Sequence, residues 1–119
     1  MGVRLQFVVG ILTGLLLAGC AEDLGVDQHG RKVTAEQLDG QWLVINYWAQ
    51  WCGPCRTEIP ELNRLAEQVQ GRAVRVLGVN FDALQGEALR KAVDELGIGF
   101  TVLAQDPATR YQLPRNDVL

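Results

Sequence analysis

Residues 46–60, NYWAQWCGPCRTEIP, set two cysteines two residues apart where an aromatic and β-branched run gives way to helical periodicity. Upstream, Trp42 to Trp48 (WLVINYW) carries almost no polarity and reads as a central strand covered on both faces. Downstream of Pro54, Ile59, Leu62, Leu65, Ala66 and Val69 recur at helical spacing, and Gly71 stands where a helix C-terminus calls for a left-handed residue. Pro60 lies within this helix, where it removes a backbone donor and should kink it. Cys52 and Cys55 therefore occupy a strand-to-helix junction.

Working outward, Ala73 to Phe81 (AVRVLGVNF) reads as a second strand. Ala88, Leu89, Ala92, Val93 and Leu96 mark the buried stripe of a second helix that ends at Gly97, and Phe100 to Ala104 reads as a third strand. Pro107 opens a short helix expected to run to Gln112. Before the first strand, His29 and Gly30 make a turn, and Thr34 caps a short helix over Ala35 to Leu38. Strands alternating with helices through short connections predict an α/β domain with a mostly parallel sheet. With 119 residues, 48% of them apolar, there is room for one domain.

The N-terminal stretch has a different character. Leu5 to Gly19 is mostly apolar behind Arg4, too short for a comfortable membrane span and shaped like a secretory signal. It ends in Leu17-Ala18-Gly19-Cys20, which resembles the bacterial lipobox. That resemblance implies a signal peptide over residues 1–19, cleavage before a diacylated Cys20, and a lipidated tether over residues 20–28, whose AEDLGVDQ lacks apolar periodicity. The domain proper is then expected over 29–119, on the extracytoplasmic, periplasmic side of a bacterial membrane. Lipidation removes Cys20 from thiol chemistry, and an oxidising compartment lets Cys52 and Cys55 pair. A formal net charge of −3 with scattered basic residues gives no footprint for nucleic acid.

Three chemistries compete for the pair. A zinc site needs four ligands, and only His29 and Cys20 remain to complete one, so no metal or cofactor is expected. A structural disulfide across two residues closes a loop too small to remove much entropy from the unfolded chain. Redox exchange fits better, because unsatisfied amide N–H groups at a helix N-terminus favour a thiolate. Cys52, before the helix and beside Trp51, is expected to be exposed and to attack. Cys55, one turn in, is expected to be more buried and to resolve the mixed disulfide. Gly53 permits close approach, and Pro54 suits the first helical turn.

The motif WAQWCGPC is similar to the thioredoxin active site, and VINYWAQWCGPCRTEIPEL resembles the TlpA/ResA-like extracytoplasmic branch of that superfamily, across roughly His29 to Leu113. The resemblance implies a thioredoxin-like fold, a mixed central sheet flanked by helices, and thiol-disulfide oxidoreductase activity. It also implies protein disulfide substrates, apocytochrome c or other exported proteins among them, and a membrane thiol reductase as electron donor. Trp51, Gly53 and Pro54 would form the substrate-side rim. Where thioredoxins place a buried acid six residues before the first cysteine this chain has Asn46, which cannot exchange a proton. Another group must then handle the Cys55 proton. The family places a functional glutamate at the position of Glu58, on the same helix face as Cys55; an acid that merely complements the helix dipole is the other reading of that residue. The Gly-Pro dipeptide resembles that of thioredoxin, whose potential is about −270 mV, and favours a reductant.

The family's cis-proline is not recognisable, since Pro114 is followed by polar residues. On the resemblance, the C-terminal strands and helix are missing, so an open sheet edge and weak or no activity are expected. Two rival readings are a non-catalytic binding lipoprotein for copper or a client protein, and an inactive truncated remnant. Copper-delivering relatives use a wider cysteine spacing and a later histidine, neither of which is here.

Overall fold

The computed structural model describes residues 23–114 and 117–119, so the signal-like segment and Cys20 lie outside the described residues. Eight elements follow one another. They are β1 (Asp23–Val26), β2 (Lys32–Thr34), α1 (Ala35–Leu38), β3 (Trp42–Trp48), α2 (Gly53–Gln68), β4 (Val74–Asn80), α3 (Gly86–Leu96) and β5 (Thr101–Leu103). The last three strands form a parallel sheet in the order β3-β4-β5, while β1 and β2 form a separate antiparallel pair. Among the described residues no helix is long and apolar enough to cross a membrane.

Alternation along the parallel strands divides the core in two. Val76 and Val102 face α2 and α3, where they pack with Trp48, Ile59, Leu89, Val93 and Phe100. Their neighbours Leu77 and Leu103 face the opposite way, onto Leu24, Val33 and Leu38 from β1, β2 and α1. Ile59 and Leu89 are each 1% exposed, and burial on that scale stabilises by roughly 1.5–3 kcal/mol per side chain. Gly78 lies where the sheet and core approach too closely for a side chain: a Cβ there would meet Phe100 and Val102 at 3.0 Å and Trp48 Nε1 at 3.1 Å.

The helices start and stop for local reasons. Thr34 and Gln37 exchange side-chain and backbone bonds in a capping box on α1. α2 runs through Pro60 to Gln68, and α3 ends at Gly97 with φ of 64°. Asn63 ties the two together, donating to Gly97 O at 2.8 Å and accepting from Gly99 N at 2.7 Å.

Four expectations are corrected. Residues 23–28 belong to the domain rather than to a tether, because Leu24 is buried and the segment runs along the free edge of β5. Ala104 N donates to Val26 O at 2.9 Å, and the Gln28 carboxamide spans Phe100 O (3.1 Å) and Val102 N (2.9 Å), doing the work of a strand. The central strand is β4, whose residues from Val76 to Asn80 are all buried; β3 is paired on one side only among the described residues. That placement leaves Trp42 80% exposed instead of packed. Finally, residues 107–112 form successive turns and no helix, with Gln112 at φ of 53°.

The turn between β1 and β2 is built on Asp27. Its buried carboxylate accepts from His29 N at 2.8 Å, Arg31 N at 2.9 Å and Arg31 Nε at 2.9 Å. Burial alone would raise its pKa, but the bonds from the Arg31 and His29 amides and the Arg31 guanidinium together hold it below the ordinary carboxylate value. His29 itself is exposed on this turn.

Candidate active site

Parallel strands deliver their C-terminal ends to one rim of a sheet, where open α/β folds place their sites. Register sets Trp48 opposite Asn80, so the segments after β3 and β4 emerge side by side. The first carries Trp51, Cys52 and the start of α2; the second carries Phe81 and Asp82.

Cys52 and Cys55 are joined by a disulfide, with sulfurs 2.07 Å and Cα atoms 5.3 Å apart. Cys52 is the N-cap of α2, and its Sγ accepts from Cys55 N at 3.3 Å. An amide at the positive end of a 16-residue helix thus points at the first sulfur, the arrangement that stabilises a thiolate once the bond is broken. Pro54 sits in the first turn, where its missing N–H costs nothing.

The expected contrast in exposure is not present. Cys52 is 7% exposed and Cys55 8%, because the capping bond turns the Cys52 sulfur back onto the helix end. Burial therefore does not separate their roles, and the amide aimed at Cys52 is what distinguishes it.

An open groove of about 510 Å³ runs past the disulfide, lined by Ile45, Asn46, Tyr47, Trp51, both cysteines, Gly53, Pro54, Glu58, Val118 and Leu119. All the expected site residues after Cys20 meet there. Glu58 is exposed on the groove wall, while Glu61 points elsewhere into an ion pair with Arg64 at 3.0 Å. Among the described residues no group of His, Cys, Asp and Glu is disposed to hold a metal.

Partners not singled out from sequence hold the rim in place. Trp51, 63% exposed, is held by its indole N–H donating to Asp82 Oδ2 at 2.9 Å and by an edge contact with Phe81 at 5.9 Å. The Tyr47 hydroxyl donates to Asp106 at 2.7 Å; burial and that carboxylate push the phenol up to about 12. The Tyr47 carbonyl approaches Cys55 Sγ at 3.9 Å. The available signal for Asp82 was its place just past the end of a parallel strand.

The same residues place the chain among known proteins. The model of the AhpC/TSA family matches residues 18–117. The chain is 29% identical over 76 residues to the thiol-disulfide oxidoreductase ResA of Bacillus thuringiensis, covering 64% of this chain and 43% of that one. It is 33% identical over 79 residues to the thiol:disulfide interchange protein HelX of Rhodobacter capsulatus, covering 66% and 42%. It thus spans less than half the length of these relatives. Among solved structures it is similar to a thioredoxin-family thiol:disulfide interchange protein from Chlorobium tepidum, with a TM-score of 0.60 and 26% identity over 72% of this chain and 58% of that one. The chain belongs to the AhpC/TSA family, with a thioredoxin-like fold.

Proposed function

We propose that this chain is the redox-active part of an extracytoplasmic thiol-disulfide oxidoreductase that reduces protein disulfides. The observation that carries the reading is a disulfide set at the N-terminus of α2, with an amide on Cys52 Sγ, beside an open groove. In the dithiol form the Cys52 thiolate attacks a substrate disulfide, one substrate sulfur leaves as a thiolate, and Cys52 is left in a mixed disulfide. Cys55 then loses its proton and attacks Cys52, which re-forms the internal disulfide and releases the second substrate sulfur as a thiol. Two electrons pass to the substrate in the cycle. Trp51, Gly53 and Pro54 form the rim on which substrate rests, and Glu58 is the group that receives the Cys55 proton.

The names of the relatives, all thiol-disulfide enzymes, support the activity. The Leu5 to Cys20 segment supports export and a lipid anchor at Cys20, with a membrane thiol reductase as electron donor and apocytochrome c or other exported proteins as substrates. A protein disulfide incubated with reduced Cys55→Ser tests the exchange step. A mixed disulfide trapped on Cys52, found by mass, is the expected result; no adduct on Cys52 contradicts the reading. Trapping a single event makes the test independent of turnover. For the anchor, metabolic labelling with a fatty-acid analogue should mark the wild type and not Cys20→Ala; equal labelling of the two contradicts lipidation at Cys20.

A further inference from the structure

Because residues 23–28 are built into the domain, only Ala21 and Glu22 separate Cys20 from its first strand residue, Asp23. Pairing with β5 fixes the direction in which the chain enters. Gln28 bonds Phe100 O and Val102 N, Asp27 bridges Leu103 in antiparallel sense, Val26 O accepts from Ala104 N, and Gly25 lies against the Gln105 side chain. Each step toward the N-terminus is thus a step toward, and then past, the C-terminal end of β5. The chain enters at the rim that carries Cys52 and Cys55. Five residues span at most about 18 Å, so a lipid on Cys20 holds Gly25 and Gln105 within that reach of the bilayer. The opposite end, where Trp42 and Val74 begin β3 and β4, lies roughly 20 Å further along the strands.

The side chains of the rim suit a membrane surface. Val26 beside Ala104, Trp51 before α2, and Tyr111 and Leu113 in the segment that follows β5 are all exposed. Aromatic rings with one polar edge settle at the level of lipid headgroups. Two carboxylates of the rim are already engaged, Asp82 by the Trp51 indole and Asp106 by the Tyr47 hydroxyl. Trp42 is exposed at the opposite end, where Arg72 and Arg75 also lie, and that end is the competing footprint.

We infer that the lipidated protein stands with its active-site rim against the bilayer surface, so that the disulfide faces the membrane. The inference rests on the reading of Cys20 as a lipidated residue. It presents the pair to a membrane thiol reductase: the two reductase thiols join as a disulfide while the Cys52–Cys55 bond takes up the two electrons and two protons they release. Protein substrates then reach Cys52 along the membrane surface.

The test uses the full-length lipidated protein in phosphatidylcholine vesicles with the Cys52–Cys55 disulfide intact. Thr109→Cys at the rim and Arg72→Cys at the opposite end change exposed residues, and each is labelled with the same maleimide fluorophore. Quenching by a lipid with a headgroup nitroxide should be stronger at position 109 than at 72 by about threefold or more, since the strands hold the two ends roughly 20 Å apart. Equal quenching overturns the inference, and stronger quenching at 72 overturns it in favour of the Trp42 end. Should either variant fail to fold, Gln105→Cys against Gln70→Cys, both exposed, makes the same comparison. Mass analysis of the same preparation separates the two layers of the argument. A protein without lipid on Cys20 fails the anchor reading and the inference with it, whereas a lipidated protein without the bias fails the inference alone.

Discussion

Replacing Gln28 by alanine removes a side chain that substitutes for a β-strand. Its carboxamide bonds Phe100 O, just before β5, and Val102 N, within it, on the edge opposite the one paired to β4. Phe100 is 4% exposed and Val102 0%, so water reaches the abandoned groups poorly. Two hydrogen bonds at about 1 kcal/mol each set the lower bound, and the desolvation of stranded partners adds to it, giving about 2–3 kcal/mol in all. With a urea dependence of about 1–3 kcal/mol per molar for a small domain, the midpoint should fall by roughly 1 M. Urea unfolding followed by circular dichroism measures this, and the Val102 amide should lose hydrogen-exchange protection in the same variant. Gln28→Glu should fare nearly as badly, since it keeps the acceptor for Val102 N but turns an oxygen on Phe100 O. A Gln28→Ala midpoint within about 0.2 M of wild type would refute the reasoning.

Other perturbations probe other layers. Gly78→Ala drives a methyl into Phe100, Val102 and Trp48 at about van der Waals overlap and should cost about 1–3 kcal/mol, read from the thermal midpoint. Asp27 has a folded-state pKa below its unfolded one, so its contribution is full above the ordinary carboxylate value and is lost as pH falls through the folded value. Asp27→Asn should therefore be less stable than wild type at neutral pH, with the gap closing in acid. Tyr47 works in the opposite sense: its pKa is raised from 10.0 to about 12, so its contribution is present below pH 10 and is lost as pH rises toward 12. Wild type should lose stability more steeply than Tyr47→Phe over that alkaline interval, measured by denaturant midpoints at each pH.

Much of this site was legible in advance because it is local. The change of period from Trp48 to Pro54 located the junction, and the two-residue spacing placed both sulfurs on one helix end. The Thr34 cap, the Gly97 stop and the three parallel strands also follow from short-range pattern. What was misread depends on partners distant in sequence. Asp23 to Gln28 has no apolar period because its strand is held through backbone bonds and one carboxamide 72 and 74 residues away. Trp42 looked like core since nothing local tells an edge strand from a central one. The Cys52 burial arises from a bond to Cys55 N, which depends on how the first turn closes. Asp106 and Asp82 are invisible beside Tyr47 and Trp51 until the strands bring them together.

The central claim, that Cys52 and Cys55 are a working redox couple, is tested most directly by equilibrating the full-length chain across dithiothreitol and glutathione buffers. Alkylation and mass mapping of the peptide that contains both residues keeps Cys20 out of the readout. The account predicts a single two-electron transition in the reducing range near −270 mV, with both thiols appearing together. A disulfide that persists at every potential, or cysteines that are alkylated independently with no paired transition, would contradict it.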